Sequence, residues 1–100
     1  MSELEKHITQ IKDLCSKHKV KTLYAFGTVL NNRFATKSDI DFIVEFEKID
    51  TRYYADNYYD LKFSLEDLFN RPVDLLEEKA ITNPYFLHSV NQQRQLLYGH

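Results

Sequence analysis

The sequence is poor in residues that staple, break or tether a chain. One cysteine, Cys15, occurs among 100 residues, which excludes an internal disulfide framework and any Cys-rich zinc module. Two glycines and two prolines are too few for a disordered or low-complexity chain. No apolar run approaches the roughly 20 residues that span a bilayer, and the start, MSELEKHITQ, has no apolar signal core. The expectation is a cytoplasmic protein without a membrane attachment. Charge of one sign is lacking too: thirteen Lys and Arg against fifteen Asp and Glu leave −2. That balance gives no field for holding nucleic acid or an acidic membrane. What the chain does have is 43% hydrophobic and 14% aromatic residues, enough for one core, and the length of one domain, residues 1–100.

Periodicity sets out the elements. Leu4, Ile8, Ile11 and Cys15 recur at helical spacing from Ser2 to about Lys19, with Ser2 and Glu5 spaced as a capping box. Val20 to Phe26 is rich in β-formers and stops at Gly27. Thr28 to about Phe34 reads as a short helix or an ordered loop. Asp39 to Phe46 alternates as a strand, with Ile40, Phe42, Val44 and Phe46 on one face and Asp39, Asp41, Ile43 and Glu45 on the other. Tyr54, Tyr58, Leu61, Leu65 and Leu68 predict a helix from near Thr51 to about Asn70. Arg71-Pro72 ends it, and Val73 to Leu76 predicts a short strand. Asn83 as cap and Pro84 at the first helical position predict a last helix carrying Phe86, Val90 and Leu97 toward Gly99. The fold class is α/β (α+β), a small mixed sheet flanked by helices.

Chemistry concentrates at Gly27-Thr28, then ten residues, then Asp39-Ile40-Asp41, and later Asp74. Asp39 and Asp41 are two apart on a strand, so both carboxylates leave one face. Adjacent carboxylates repel unless a cation lies between them, and Mg²⁺ takes such oxygen ligands together with substrate phosphates. If the strand of Asp74 pairs beside the first, a third carboxylate joins and a two-metal site becomes feasible. Gly27 lets backbone approach a phosphate closely, and Thr28 offers a hydroxyl and an N–H to the same anion. Other residues have plainer readings. Arg33 and Lys37 are loop cations, either solvated or phosphate-facing. Tyr54 and Tyr58 fit the buried stripe, whereas Tyr53 and Tyr59 fall off it and suit either solvent or a partner surface. His7, His18, His88 and His100 have no paired metal spacing and read as surface or structural. Cys15 reads as a small core residue, and Glu77-Glu78-Lys79 as a solvated turn after the last strand.

Gly27, Thr28, Asp39, Asp41 and Asp74, within FGTVLNNRFATKSDIDFIVEF and RPVDLLEEKAITNPYFLHSVNQQRQLLYG, resemble the minimal nucleotidyltransferases of the DNA polymerase β-like superfamily. The resemblance implies that fold and transfer of a nucleoside monophosphate, most often AMP from ATP, onto a hydroxyl. It implies Asp39, Asp41 and Asp74 as catalytic metal ligands for Mg²⁺, and Gly27, Thr28 and, more weakly, Arg33 as phosphate contacts. Small members of the family commonly pair with a helical HEPN protein as toxin and antitoxin, and some adenylylate a tyrosine of that partner. Size points the same way, because a chain this short has little left for an acceptor-binding module; the acceptor should arrive on a partner or be a small molecule held at the interface of a homo- or hetero-oligomer. The rival reading keeps the fold and binds a partner without turnover. It is suggested by Thr28 where the family usually has serine, and by Leu30-Asn31-Asn32 where many relatives have Ala-Arg-Gly.

Overall fold

A computed structural model describes residues 6–26, 40–85, 87–88 and 94–99. Their order is α1 (Ile8–Lys17), β1 (Val20–Phe26), β2 (Ile40–Phe46), α2 (Thr51–Phe69), β3 (Val73–Glu77), a 3-10 turn (Glu78–Ala80) and β4 (Gln95–Tyr98). The strands form one mixed sheet in the order β3-β2-β1-β4. β1 pairs antiparallel with both β2 and β4, while β2 and β3 are parallel and α2 makes the crossover between them. The proposed capping box and the ambiguous segment after Gly27 lie outside the described residues.

Both helices cover one face of the sheet. Ile11 and Cys15 from α1 and Leu61, Leu65 and Phe69 from α2 bury against Leu23, Ala25, Ile40, Phe42, Val44, Val73 and Leu75. Alternation then puts Tyr24, Asp41, Ile43, Asp74 and Leu76 on the opposite face. α2 begins where the period placed it, because Asp50 Oδ1 accepts from the Arg52 N–H at 2.9 Å. The same Arg52 contacts hold the Asp50 carboxyl below its ordinary value. The helix ends with Asn70 in the left-handed region (φ 56°), where its N–H returns to the Glu66 carbonyl.

His18 is structural, as its spacing suggested. Its ring bonds the Leu14 carbonyl at 2.7 Å and Asp60 at 3.1 Å, and its own carbonyl accepts from Asn57 at 2.7 Å. These contacts lock the end of α1 to α2. Cys15 is fully buried, and burial pushes its thiol up to about 12. The native thiol should therefore resist alkylation at pH 8 and react fully in denaturant, which a mass-resolved labelling course would show. The raised value also means that the folded state holds this proton more tightly than the unfolded chain. Its contribution is complete below about pH 9 and declines as pH rises toward about 12.

The chain's last segment departs from the sequence reading. The helical start is present: Asn83 Oδ1 accepts from the Tyr85 N–H, and the Asn83 carbonyl from the Leu87 N–H, both at 2.9 Å. Residues 95–98, however, form β4 rather than the end of that helix. Without β4, β1 would present an open edge, and pairing there satisfies it while Leu97 buries in the core. Phe86 and Val90 are outside the described residues. Gly99 follows with φ +94°, and a Cβ there would meet the Lys21 carbonyl at 2.5 Å. Gly99→Ala should cost more than about 1 kcal/mol in chemical denaturation, because both backbone angle and space oppose it.

Candidate active site

Parallel pairing of β2 with β3 sets Ile40 opposite Val73, Asp41 opposite Asp74 and Phe42 opposite Leu75. Neighbouring strands lie about 4.8 Å apart, so the two aspartates are immediate cross-strand neighbours. Ile40, Phe42, Val73 and Leu75 are all buried on the helix side, so Asp41 and Asp74 project from the opposite side. Asp41 is half-buried and Asp74 exposed. Phe26, the residue before Gly27, pairs with Asp41 on the other flank of β2. Asp39, Gly27, Thr28 and Arg33 lie outside the described residues.

Like charges set directly opposite on a sheet destabilise it. Hard carboxylate oxygens side by side suit a divalent cation, which relieves that repulsion, so the pair fits the expected metal. Among the described residues no group of three or more His, Cys, Asp or Glu converges as a ligand set; the third carboxylate expected from the sequence is Asp39.

Two connections hold β3 at this place, and neither has a sequence signal. Glu66 Oε2 accepts from the Val73 N–H at 3.0 Å, and the Tyr58 hydroxyl donates to the Leu75 carbonyl. Further along the same sheet face, the Arg94 guanidinium lies 4.0 Å over the Tyr24 ring and pairs with Glu78 at 2.7 Å. This corrects the solvated-turn reading of Glu77-Glu78-Lys79: only Lys79 is largely solvated, and a strand follows the turn.

A cavity of about 440 Å³ opens at the other end of the parallel pair, among Val44, Phe46, Ile49, Tyr54, Glu77 and Lys79. It begins three residues along β2 from Asp41, about 10 Å away, and is distinct from the aspartate site. Burial, then the neighbouring Glu77 carboxylate, raises the Tyr54 hydroxyl well above its ordinary value and keeps it protonated. Tyr54 and Tyr58 pack edge-on to Phe46, as their stripe position implied. On the outer side of α2, Tyr53, Tyr59 and Phe63 are each more than half exposed.

Known proteins share this fold. The family model described as Polymerase beta, Nucleotidyltransferase matches residues 9–100. A protein of Methanocaldococcus jannaschii, named as a candidate protein adenylyltransferase, is 38% identical over 95 residues, covering 87% of this chain and 94% of the relative. The solved structure of a candidate minimal nucleotidyltransferase superimposes with a TM-score of 0.77 at 26% identity, over 95% of each chain. A chain from the tri-AMPylated HEPN toxin of Shewanella oneidensis in complex with its MNT antitoxin gives 0.64 at 21% identity, over 96% of this chain and 72% of that one. That likeness is one of fold. The family match runs through both strands that carry the paired aspartates and reaches the end of the sheet, and on that extent the chain belongs to the polymerase beta nucleotidyltransferase family.

Proposed function

We propose that this nucleotidyltransferase moves AMP from ATP onto a hydroxyl of a partner protein, a tyrosine of a HEPN-type toxin, and so acts as its antitoxin. The observation that carries the reading is the Asp41–Asp74 register pair on the sheet face away from the helices. The relative named for protein adenylyl transfer and the fold shared with a complex holding an AMPylated HEPN toxin support the substrate class.

In this reading Asp39, Asp41 and Asp74 would hold Mg²⁺, in a two-ion site. Bound there, the metal supplies charge neutralisation for the triphosphate. Gly27 and Thr28 offer backbone N–H and hydroxyl groups to the phosphates, with Arg33 as a further cation. The acceptor oxygen forms a bond to the α-phosphorus, the bond from that phosphorus to the pyrophosphate oxygen breaks, and pyrophosphate leaves. The hydroxyl proton passes to the Asp74 carboxylate. The sheet's part is alignment: the parallel register fixes two of the carboxylates relative to each other before substrate arrives.

The reading is tested by calorimetric titration of ATP with Mg²⁺ into the wild type and into an Asp39→Asn/Asp41→Asn variant, with and without the partner. Magnesium-dependent binding that vanishes in the variant supports it. A well-folded wild type that binds no nucleotide even with partner present sinks it. The exposed Tyr53, Tyr59 and Phe63 favour a second reading, neutralisation of the partner by surface contact alone. Retained neutralisation by the double variant would select that one.

A further inference from the structure

β3 is the edge strand of the sheet, and its alternation divides its backbone groups between two sides. Asp74 turns its N–H and C=O toward β2, while Val73 and Leu75 turn theirs outward, where no strand follows among the described residues. Such outward groups would ordinarily be left to water and the strand end to fraying. Here α2 takes one on each side of Asp74: Glu66 Oε2 binds the Val73 N–H at 3.0 Å, and the Tyr58 hydroxyl binds the Leu75 carbonyl.

Both anchors are themselves fixed. The Tyr58 ring packs edge-on to Tyr59 at 5.1 Å and to Phe46 at 6.5 Å. Burial raises its hydroxyl above the ordinary value, so it remains a donor. The Glu66 carbonyl accepts from the Asn70 N–H and from the Arg71 N–H, the latter at 3.3 Å, which ties the turn into β3 to the same residue.

We propose that Tyr58 and Glu66 are positioning residues for Asp74: they clamp the open edge of β3 so that its carboxylate stays in register with Asp41 for metal binding. The proposal rests on the reading of Asp74 as a metal ligand. Groups that orient ligands from behind change metal affinity by about 10–100-fold when removed.

The test uses Mn²⁺ as the probe, its free concentration followed by electron paramagnetic resonance, on the wild type, Tyr58→Phe, Glu66→Ala, Glu66→Gln and Asp74→Asn. Tyr58→Phe and Glu66→Ala should each weaken Mn²⁺ binding about tenfold. Glu66→Gln, which keeps an acceptor oxygen, should recover most of that loss. Amide exchange at Val73 should accelerate in Glu66→Ala and not in Glu66→Gln, and kcat should fall with KM for ATP little changed. A lowered melting temperature with wild-type Mn²⁺ affinity in Tyr58→Phe, while Asp74→Asn loses binding, overturns the clamp alone. Wild-type affinity in Asp74→Asn overturns the ligand reading and the clamp with it. Tyr58→Phe removes a single oxygen, so the answer stands even if Glu66→Ala does not fold.

Discussion

Asp41→Asn is expected to lower AMP transfer by roughly a thousandfold while the melting temperature stays within a few degrees of wild type. The substitution keeps size and one oxygen but removes the charge that complements a cation. A loss of about 4 kcal/mol of transition-state stabilisation corresponds to that factor. Stability should hardly suffer, because Asp41 faces Asp74 directly and removing one of two opposed charges offsets whatever contact the carboxylate loses. Transfer would be read from ATP labelled at the α-phosphate, counted on the partner protein. Mg²⁺ should raise the wild-type melting temperature and leave that of Asp41→Asn unmoved, since only a state that binds the ion is stabilised by it. Transfer within tenfold of wild type would show that the reaction is not organised on this carboxylate.

Phe42→Ala should be the most damaging core substitution, costing about 3–5 kcal/mol. Phe42 is fully buried at the middle of β2 and packs its ring 5.9 Å from that of Phe69 at the end of α2. A domain of this size has about 5–15 kcal/mol in total, so the variant would be near its folding threshold. Its melting temperature should fall by about 15–30 °C, followed by circular dichroism. Phe42→Leu, which refills much of the volume, should recover a large part. A cost below about 1 kcal/mol for Phe42→Ala would mean that the core is not packed around this strand. The neighbouring residue is Asp41, so the same strand carries the structural centre and the candidate site, one on each face.

Much of this was legible in the chain. The step of four and three from Tyr54 to Leu65 marked α2, and the alternation through Ile40, Phe42 and Val44 marked β2 together with the face on which Asp41 would stand. Asn83 was readable as a cap because its side chain meets a donor two residues on. The strand of residues 95–98 was not readable, since Leu97 suits a helix face as well as a strand face, and only the open edge of β1 decided between them. The anchoring of β3 by Tyr58 and Glu66 joins residues 17 and 7 positions apart, beyond the range of any local pattern. The pairing of Glu78 with Arg94 was hidden for the same reason.

By itself the sequence determined which residues of α1, α2 and the two central strands face the core, where those elements run, and that Asp41 alternates onto the other face of its strand. Those are consequences of period, which acts over a few residues and needs no knowledge of what lies opposite. The tertiary structure decided that Asp41 stands beside Asp74 rather than one residue out of step, where a slip would have sent one carboxylate into the core face. Register is set by hydrogen bonds and burial between strands thirty residues apart in the chain, and only the folded sheet, with α2 holding its edge, brings those groups together.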